Sequence, residues 1–346
     1  MTRTGPWVSA AIVAAAVLLS GLLIAVTGGS PAAALRALVQ GSLGDATAVS
    51  QTLLYAAPLL LVAAGTCCSA RSGAFNIGQE GQVLVGALAG AAAGLRLAVP
   101  GPVLPLVVLA AAALAAGTWA WLSALMHRFR GVDIAVSTLL MTFLAQQAVA
   151  FAVTTPWLLQ ESRLGAAAAL PQSNKLPPGA LLGSLGDHPG LQLNLGLGVA
   201  LVVTLLVAVA LGRTRWGFRL TMAGLNPAAA RHAGIPVTAV GGIALAVSGA
   251  LAGMAGAVLL SSPLGTNRLQ PDISINIGWD GLLVALIARN RPLLTIPVAG
   301  LFAVLRAGGS FLAATGVPPY LVDVVKALLT LAFVAPAVLR RQPVVA

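Results

Sequence analysis

Apolar residues run through this chain in long blocks, with the polar residues confined to short gaps between them. A helix that crosses a bilayer needs about 20 mostly apolar residues. Blocks of that kind fall at roughly 7–27, 50–70, 77–95, 102–125, 132–154, 192–212, 237–260, 277–289, 292–312 and 319–339. The eighth is short, and the second and third are parted only by RSGAFN. Short or glycine-interrupted spans are typical of transporters. The first block, Trp7 to Thr27, exceeds the roughly 7–15-residue apolar core of a signal peptide and reads as an uncleaved helix. The expected fold is an all-α polytopic membrane protein of about ten transmembrane helices.

Composition removes the soluble alternatives. Of 346 residues, 58% are hydrophobic and 8% charged, and the mean hydropathy is +0.96. Soluble domains carry about a quarter charged residues. No polar block is long enough to fold separately, so 1–346 reads as a single membrane domain. Its first half is about 1–155, an external loop about 155–191 and its second half about 192–346, with a cytoplasmic loop at about 213–236.

The net charge of +11 would suggest nucleic acid in a soluble protein. Here the basic residues lie in loops, where the positive-inside rule accounts for them. Aromatic–basic interleaving of the nucleic-acid-binding kind is absent. With a cytoplasmic N-terminus and ten crossings, twelve arginines fall inside and five basic residues outside, which predicts both termini in the cytoplasm. Interfacial aromatics agree, with Trp119 and Trp121 near one inner end and Trp157 and Tyr320 near outer ends.

A repeat adds architecture. NIGQEG at 76–81 returns as NIGWDG at 276–281, and VDIAVSTLLMTFLA at 132–145 is echoed by VDVVKALLTLAFVA at 322–335. Five spans separate the two hexamers, an odd number, so the halves would run in opposite directions across the membrane. Inverted-topology repeats are a transporter signature, although chance matching in a Gly-, Ala-, Val- and Leu-rich chain is the rival explanation. In this topology the hexamers begin on opposite faces and are not expected to meet. Glu80 and Asp280 near helix N-termini suit the positive end of the helix dipole, and the glycines permit close packing. A path-lining role is equally compatible, because ionisable residues inside spans are costly and often functional.

The largest predicted cytoplasmic loop, GRTRWGFRLTMAGLNPAAARHAGIPV at 212–237, carries four arginines and no acid. Within it NPAAARHAG reads as a short helix, with Asn226 as N-cap, Pro227 in the first turn and Gly234 as the stop. Either the loop only fixes topology, or the helix docks in a groove of a cytoplasmic partner.

GAFNIGQEGQ, RWGFRLTMAGLNPAAARHAGI and GWDGLLVALIARNRP, in that order, resemble the membrane permease subunit of bacterial ABC importers. The resemblance covers roughly 50–340 and lies with the nucleoside and simple-sugar branch, related to the ribose and branched-chain amino acid permeases. It implies that 213–235 is a coupling element docking on cytoplasmic ABC ATPase subunits, with Arg215, Arg219, Asn226, Pro227, Arg231 and Gly234 as candidates. It also implies a second permease subunit, as a heterodimer, an extracytoplasmic substrate-binding protein and a bacterial inner-membrane location. VSTLLMTFLAQQ departs from the Asn-containing motif expected of the fifth span.

The remaining chemistry fits. Neither lysine, Lys175 or Lys326, is followed by Ser or Thr, so the chain lacks the phosphate-binding loop of an ATPase. No cofactor is expected on this chain, and ATP would be used by the partner subunit. The three histidines lack metal-ligand spacing, no two acids lie within seven residues, and adjacent Cys67 and Cys68 read as packing residues. Candidates for the substrate path are Gln51, Phe75, Asn76, Gln79, Glu80, Gln146, Asn276, Trp279 and Asp280. Amides can bind ribose hydroxyls or base edges without adding charge, and Phe75 or Trp279 can stack on a base. The same amides could instead tie helices together. Nucleosides are the first substrate expectation and simple sugars the second. An ion-coupled secondary carrier using Glu80, Asp280, Asp323 and Arg306 is the competing class.

Overall fold

A computed structural model of the chain describes residues 6–26, 28–162, 170–184, 191–312 and 321–339. Every named element among them is helical. The α-helices are α1 Pro6–Val26, α2 Pro31–Leu43, α3 Ala46–Arg71, α4 Gln79–Arg96, α5 Leu104–Arg130, α6 Ile134–Thr154, α7 Leu195–Arg213, α8 Arg215–Leu225, α9 Pro227–His232, α10 Val237–Leu260, α11 Ile277–Ile287, α12 Pro292–Leu312 and α13 Leu321–Leu339. Each of the ten apolar blocks carries a helix. Among the described residues only six helices, α3, α5, α6, α7, α10 and α12, are both long and apolar enough to cross a membrane. A seventh span results if Leu18–Val26 and Pro31–Leu43, set at 109°, are one broken span.

Three of the α-helices, α2, α8 and α9, lie outside the apolar blocks. Helix α2 starts where the Ser30 hydroxyl accepts from the Ala33 amide and Pro31 occupies the first turn. Helix α8 starts the same way, with the Thr214 hydroxyl accepting from the Gly217 amide at 3.2 Å. Helix α9 matches its expectation: Asn226 Oδ1 accepts from Ala229 N at 3.0 Å, and Gly234 follows with φ +76°. That left-handed conformation is one glycine adopts without strain.

The chain forms two compact units, Met1–Tyr55 with His188–Leu191 and Gly300–Ala346, and Ala56–Asp187 with Gln192–Ala299. The first draws on both ends of the sequence and the second on its middle. In the first, Ala34 and Ala37 of α2 pack against Leu305 and Leu312 of α12 and Leu321 and Val322 of α13. Thr52 of α3 donates to the carbonyl of Ser42 at 2.8 Å. On α13 the ammonium of Lys326 pairs with Asp323 at 2.7 Å.

In the second unit α4, α5 and α10 pack closely enough that backbone meets backbone. A Cβ on Gly86 of α4 would collide with the main chain of Gly253 of α10, and one on Gly256 of α10 would collide with the Val83 carbonyl of α4. A Cβ on Gly253 would in turn strike Ala112 and Ala116 of α5. Without water to drive apolar surfaces together, small residues allow this close van der Waals packing to hold membrane helices. Free Cys67 and Cys68 are buried in α3. The segment after α6 lies along 261–270, with Ser173 N donating to Leu269 O at 2.9 Å and Leu176 N to Asn267 O at 2.9 Å. Glu161 and Arg268 form an ion pair there, and Gln172 Nε2 donates to Glu161 Oε2 at 2.8 Å.

Candidate functional site: the paired NIG motifs and the basic elbow

The two hexamers meet, contrary to the sequence expectation that they lie on opposite faces. Both oxygens of the Glu80 carboxylate accept from the opposite motif, from Asn276 N at 3.2 Å and from Gly278 N at 2.7 Å. The reason is depth. Helix α11 has 11 residues, about 16 Å at 1.5 Å per residue, which is half of a hydrocarbon core of about 30 Å. Its N-terminus therefore need not lie at a membrane face. Helix α4 is likewise entered through the non-helical segment 74–77. Helix N-termini leave amides without intrahelical partners, and Glu80 satisfies two of them at α11 while placing negative charge at the positive dipole end.

The glycines of the repeat explain the approach. A Cβ on Gly278 would strike Glu80 and Gln79 main-chain atoms, and one on Gly78 would strike the Thr138 carbonyl of α6. The following pair packs similarly, Gly81 against Thr142 and Gly281 against Val62. Ahead of α11 the chain holds Ile275 at φ +43° and Asn276 at φ +68°. A β-branched residue in the left-handed region is an outlier, a strain that persists where surroundings over-determine it. Here the Glu80 hydrogen bonds hold the residue that follows.

Behind the junction the amides serve one another. Asn76 Nδ2 donates to Gln82 Oε1 at 2.8 Å and to Ser248 Oγ at 2.9 Å, and Asn76 Oδ1 accepts from Gly78 N at 3.1 Å and from Gln82 Nε2 at 3.0 Å. Gln79 Nε2 donates to Val62 O at 3.2 Å and to Ser248 Oγ at 3.1 Å, while its Oε1 accepts from Thr66 Oγ1 at 2.7 Å. Ile77 N donates to Thr138 Oγ1 at 3.3 Å. The network thus ties the start of α4 to α3, α6 and α10. Buried polar groups in an apolar medium demand such partners.

Asn76, Gln79, Glu80 and Asp280 are accordingly buried. Asn276 is exposed, Trp279 half-buried, and Phe75 37% exposed. Gln146 points outward from α6. Gln51 belongs to the other unit, where it lines a cavity of about 190 Å³ with Tyr55 and Arg306. Within its unit the structure therefore brings five candidates together around the junction, Asn76, Gln79, Glu80, Asn276 and Asp280, and leaves Gln146 apart. Gln82, Thr66, Thr138 and Ser248 were missed by sequence reasoning, because single hydroxyls and amides in apolar helices follow no spacing rule.

The basic segment 213–235 is an elbow of two helices, not a loop with one. Helix α8 buries Gly217, Leu220 and Ala223 and exposes Arg215, Arg219, Phe218 and Leu225. Arg231 is exposed on α9, with its Nε donating to Pro227 O at 3.2 Å. At the bend, Gly224 packs against the Arg71 carbonyl and the Ser72–Gly73 main chain. A cavity of about 380 Å³ sits beside it, lined among others by Ser72, Gly73, His127, Gly224, Pro227 and Arg231. The elbow thus leans on the connection that runs directly into Asn76. No group of three or more His, Cys, Asp or Glu is placed to hold a metal among the described residues.

Residues 48–334 match the family model described as branched-chain amino acid transport system / permease component. A glucose ABC transporter permease of Haloferax volcanii is 30% identical over 342 residues, covering 96% of this chain and 88% of that one. A nucleoside ABC transporter permease of Lactococcus lactis subsp. cremoris is 28% identical over 324 residues, covering 90% and 85%. A guanosine ABC transporter permease of Bacillus subtilis is 30% identical over 318 residues, covering 91% and 88%. No solved structure matches the chain significantly.

Proposed function

The chain belongs to the permease-component family of the branched-chain amino acid transport systems, and on that premise we propose that it translocates nucleosides for an ABC importer. It is a multi-pass membrane permease subunit of such an importer for nucleosides or sugars. Nucleosides are preferred because two of the three relatives described carry nucleoside or guanosine in their names, and the glucose relative keeps simple sugars as the second reading. The chain does no bond chemistry. ATP is bound and hydrolysed by partner ATPase subunits, an extracytoplasmic protein delivers the solute, and a second permease completes the pathway as a heterodimer. The membrane is the bacterial inner membrane, about ten helices cross it as two inverted halves, and both termini face the cytoplasm.

The observation that carries the coupling mechanism is the contact of Gly224 with Arg71–Gly73. Closure of the ATPases displaces α8 and α9, and the elbow transmits that displacement to the segment 72–78. That segment leads into the buried Asn76–Gln79–Ser248 network and, through Glu80, into α11. Arg215, Arg219 and Arg231 face outward on this elbow and meet acidic groups on the ATPase. Asn226, Pro227 and Gly234 set its shape. Exposed Phe218 supplies an apolar anchor.

Uptake of labelled guanosine is measured in cells with and without the gene, with ATP and the proton gradient depleted separately. Loss on deletion and on ATP depletion, but not on collapse of the gradient, supports the reading. Gradient-dependent uptake replaces it with a secondary carrier. Reporters fused after Gly224 and after Lys175 must read cytoplasmic and external respectively, and a reversal removes the inverted halves.

A further inference from the structure

The coupling mechanism makes no use of Arg306, a cation inside an apolar span. Arg306 lies on α12, a helix long and apolar enough to cross a membrane. A guanidinium there is expensive and marks functional ground. Arg306 stacks over the Tyr55 ring of α3, 5.1 Å from its centroid. Both line the cavity of about 190 Å³ that also takes in Asp45, Gln51 and Ser310.

The donor and acceptor set is informative. A guanidinium only donates, a carboxylate only accepts, and amide and phenol do both. Asp45 Oδ1 already accepts from Ala48 N at 2.7 Å, and the Ser310 hydroxyl donates to Ala307 O at 2.9 Å, so both present acceptor capacity to the cavity. Arg306 beside Asp45 brings opposite charges to one small space. That balance disfavours a net anion such as a phosphorylated ligand, whose charge would face the carboxylate. A neutral ligand bearing several hydroxyls, each donor and acceptor, fits the set without adding charge. The volume equals that of about six waters at about 30 Å³ each and falls below the roughly 300–1,000 Å³ of sites for drug-sized ligands. A space of this size matches one five- or six-membered sugar ring.

We infer that the Arg306–Tyr55–Gln51 cavity is a transport subsite for the sugar ring of the solute, the ribosyl part of a nucleoside or a free hexose. Arg306 is the hydrogen-bond donor, Tyr55 holds the guanidinium plane, and Gln51 and Asp45 accept from ring hydroxyls. This inference rests on the permease reading and names the chemistry that nucleosides and simple sugars share.

The test measures cellular uptake of labelled guanosine, 2′,3′-dideoxyguanosine and glucose in cells expressing wild type, Arg306→Ala, Arg306→Lys, Gln51→Ala or Tyr55→Phe, with each rate divided by the amount of permease in the membrane. The external binding protein is common to all strains, so a changed ratio between solutes belongs to this chain. Guanosine uptake should fall at least about tenfold in Arg306→Ala, the scale of one lost charge-assisted hydrogen bond, while dideoxyguanosine uptake changes less than about twofold. Arg306→Lys should recover part of the loss. If glucose is the solute, the same loss appears in the glucose arm. Equal losses of guanosine and dideoxyguanosine would make Arg306 a structural residue and overturn the subsite, as would unchanged guanosine uptake, with the permease reading intact in both cases. If wild-type cells take up neither guanosine nor glucose, both substrate readings and the subsite fall together.

Discussion

Replacing Glu80 with alanine should detach α11 from α4, and the structure sets the size of the effect. The carboxylate accepts from Asn276 N and Gly278 N, and hydrogen bonds to charged groups contribute roughly 1.5–3 kcal/mol each. Removing the acceptor also leaves both amides without it, and Gly278 is buried. The two bonds share one side chain, so their loss is less than additive, and the cost comes to about 3–5 kcal/mol. That is a large part of the roughly 5–15 kcal/mol by which a typical domain is stable. Glu80→Gln keeps one carbonyl oxygen to accept from Gly278 N but turns donors toward the other amide, so its cost should be about half. Glu80→Asp is one methylene too short and should resemble alanine. The assay is thermal unfolding of detergent-purified protein, where 3 kcal/mol corresponds to a fall of roughly 5 °C or more for a chain of this size. Hydrogen exchange should show amides of α11 opening first. An alanine variant that melts within a degree of wild type, with α11 equally protected, would refute the capping role.

Further perturbations probe other parts of the structure. Arg219→Glu or Arg231→Glu should abolish ATP-dependent uptake while leaving the amount of protein in the membrane unchanged, and normal uptake in both would remove the docking role. Gly86→Val should cost at least the roughly 1–3 kcal/mol of overpacking, because the Gly253 main chain blocks the new Cβ; folded yield in the membrane reads it. Glu161 has its pKa lowered, mainly by the hydrogen bond from Gln172 and then by Arg268. A carboxyl lowered by folding adds stability above its unfolded pKa and loses it as pH falls through the folded value. Proteolysis of the 155–184 segment should therefore speed up only below the ordinary carboxylate range, and Glu161→Gln should make it fast at neutral pH.

What the sequence revealed was governed by local physics. The ten apolar blocks became helices, because apolar runs of that length satisfy their backbone only by coiling. The α9 start was legible since Asn226 and Pro227 act within one turn. Helix α8 was not, because its apolar face is only Gly217, Leu220 and Ala223, set among arginines that read as loop. Helix α2 likewise lies between blocks, with Ser30 and Pro31 as its only signals. The meeting of the two hexamers was invisible because depth in a membrane is a property of packing. A topology count assigns each segment a starting face and has no term for one that begins halfway. The amides Asn76 and Gln79 drew attention as polar exceptions, and only the structure shows how much of their capacity Ser248, Thr66 and Gln82 consume.

The glycine contacts among α4, α5 and α10 also limit how the transporter can work. Where side chains separate two helices, rotamer changes let them slide, like gears with lash. At Gly86, Gly253 and Gly256 there is no such cushion, since main chain rests on main chain. Any sliding there drives a Cβ-free notch onto a neighbour that carries one. These three helices must travel as one block during a transport cycle. Spin labels placed across them should hold fixed separations while solute access switches from one side of the membrane to the other.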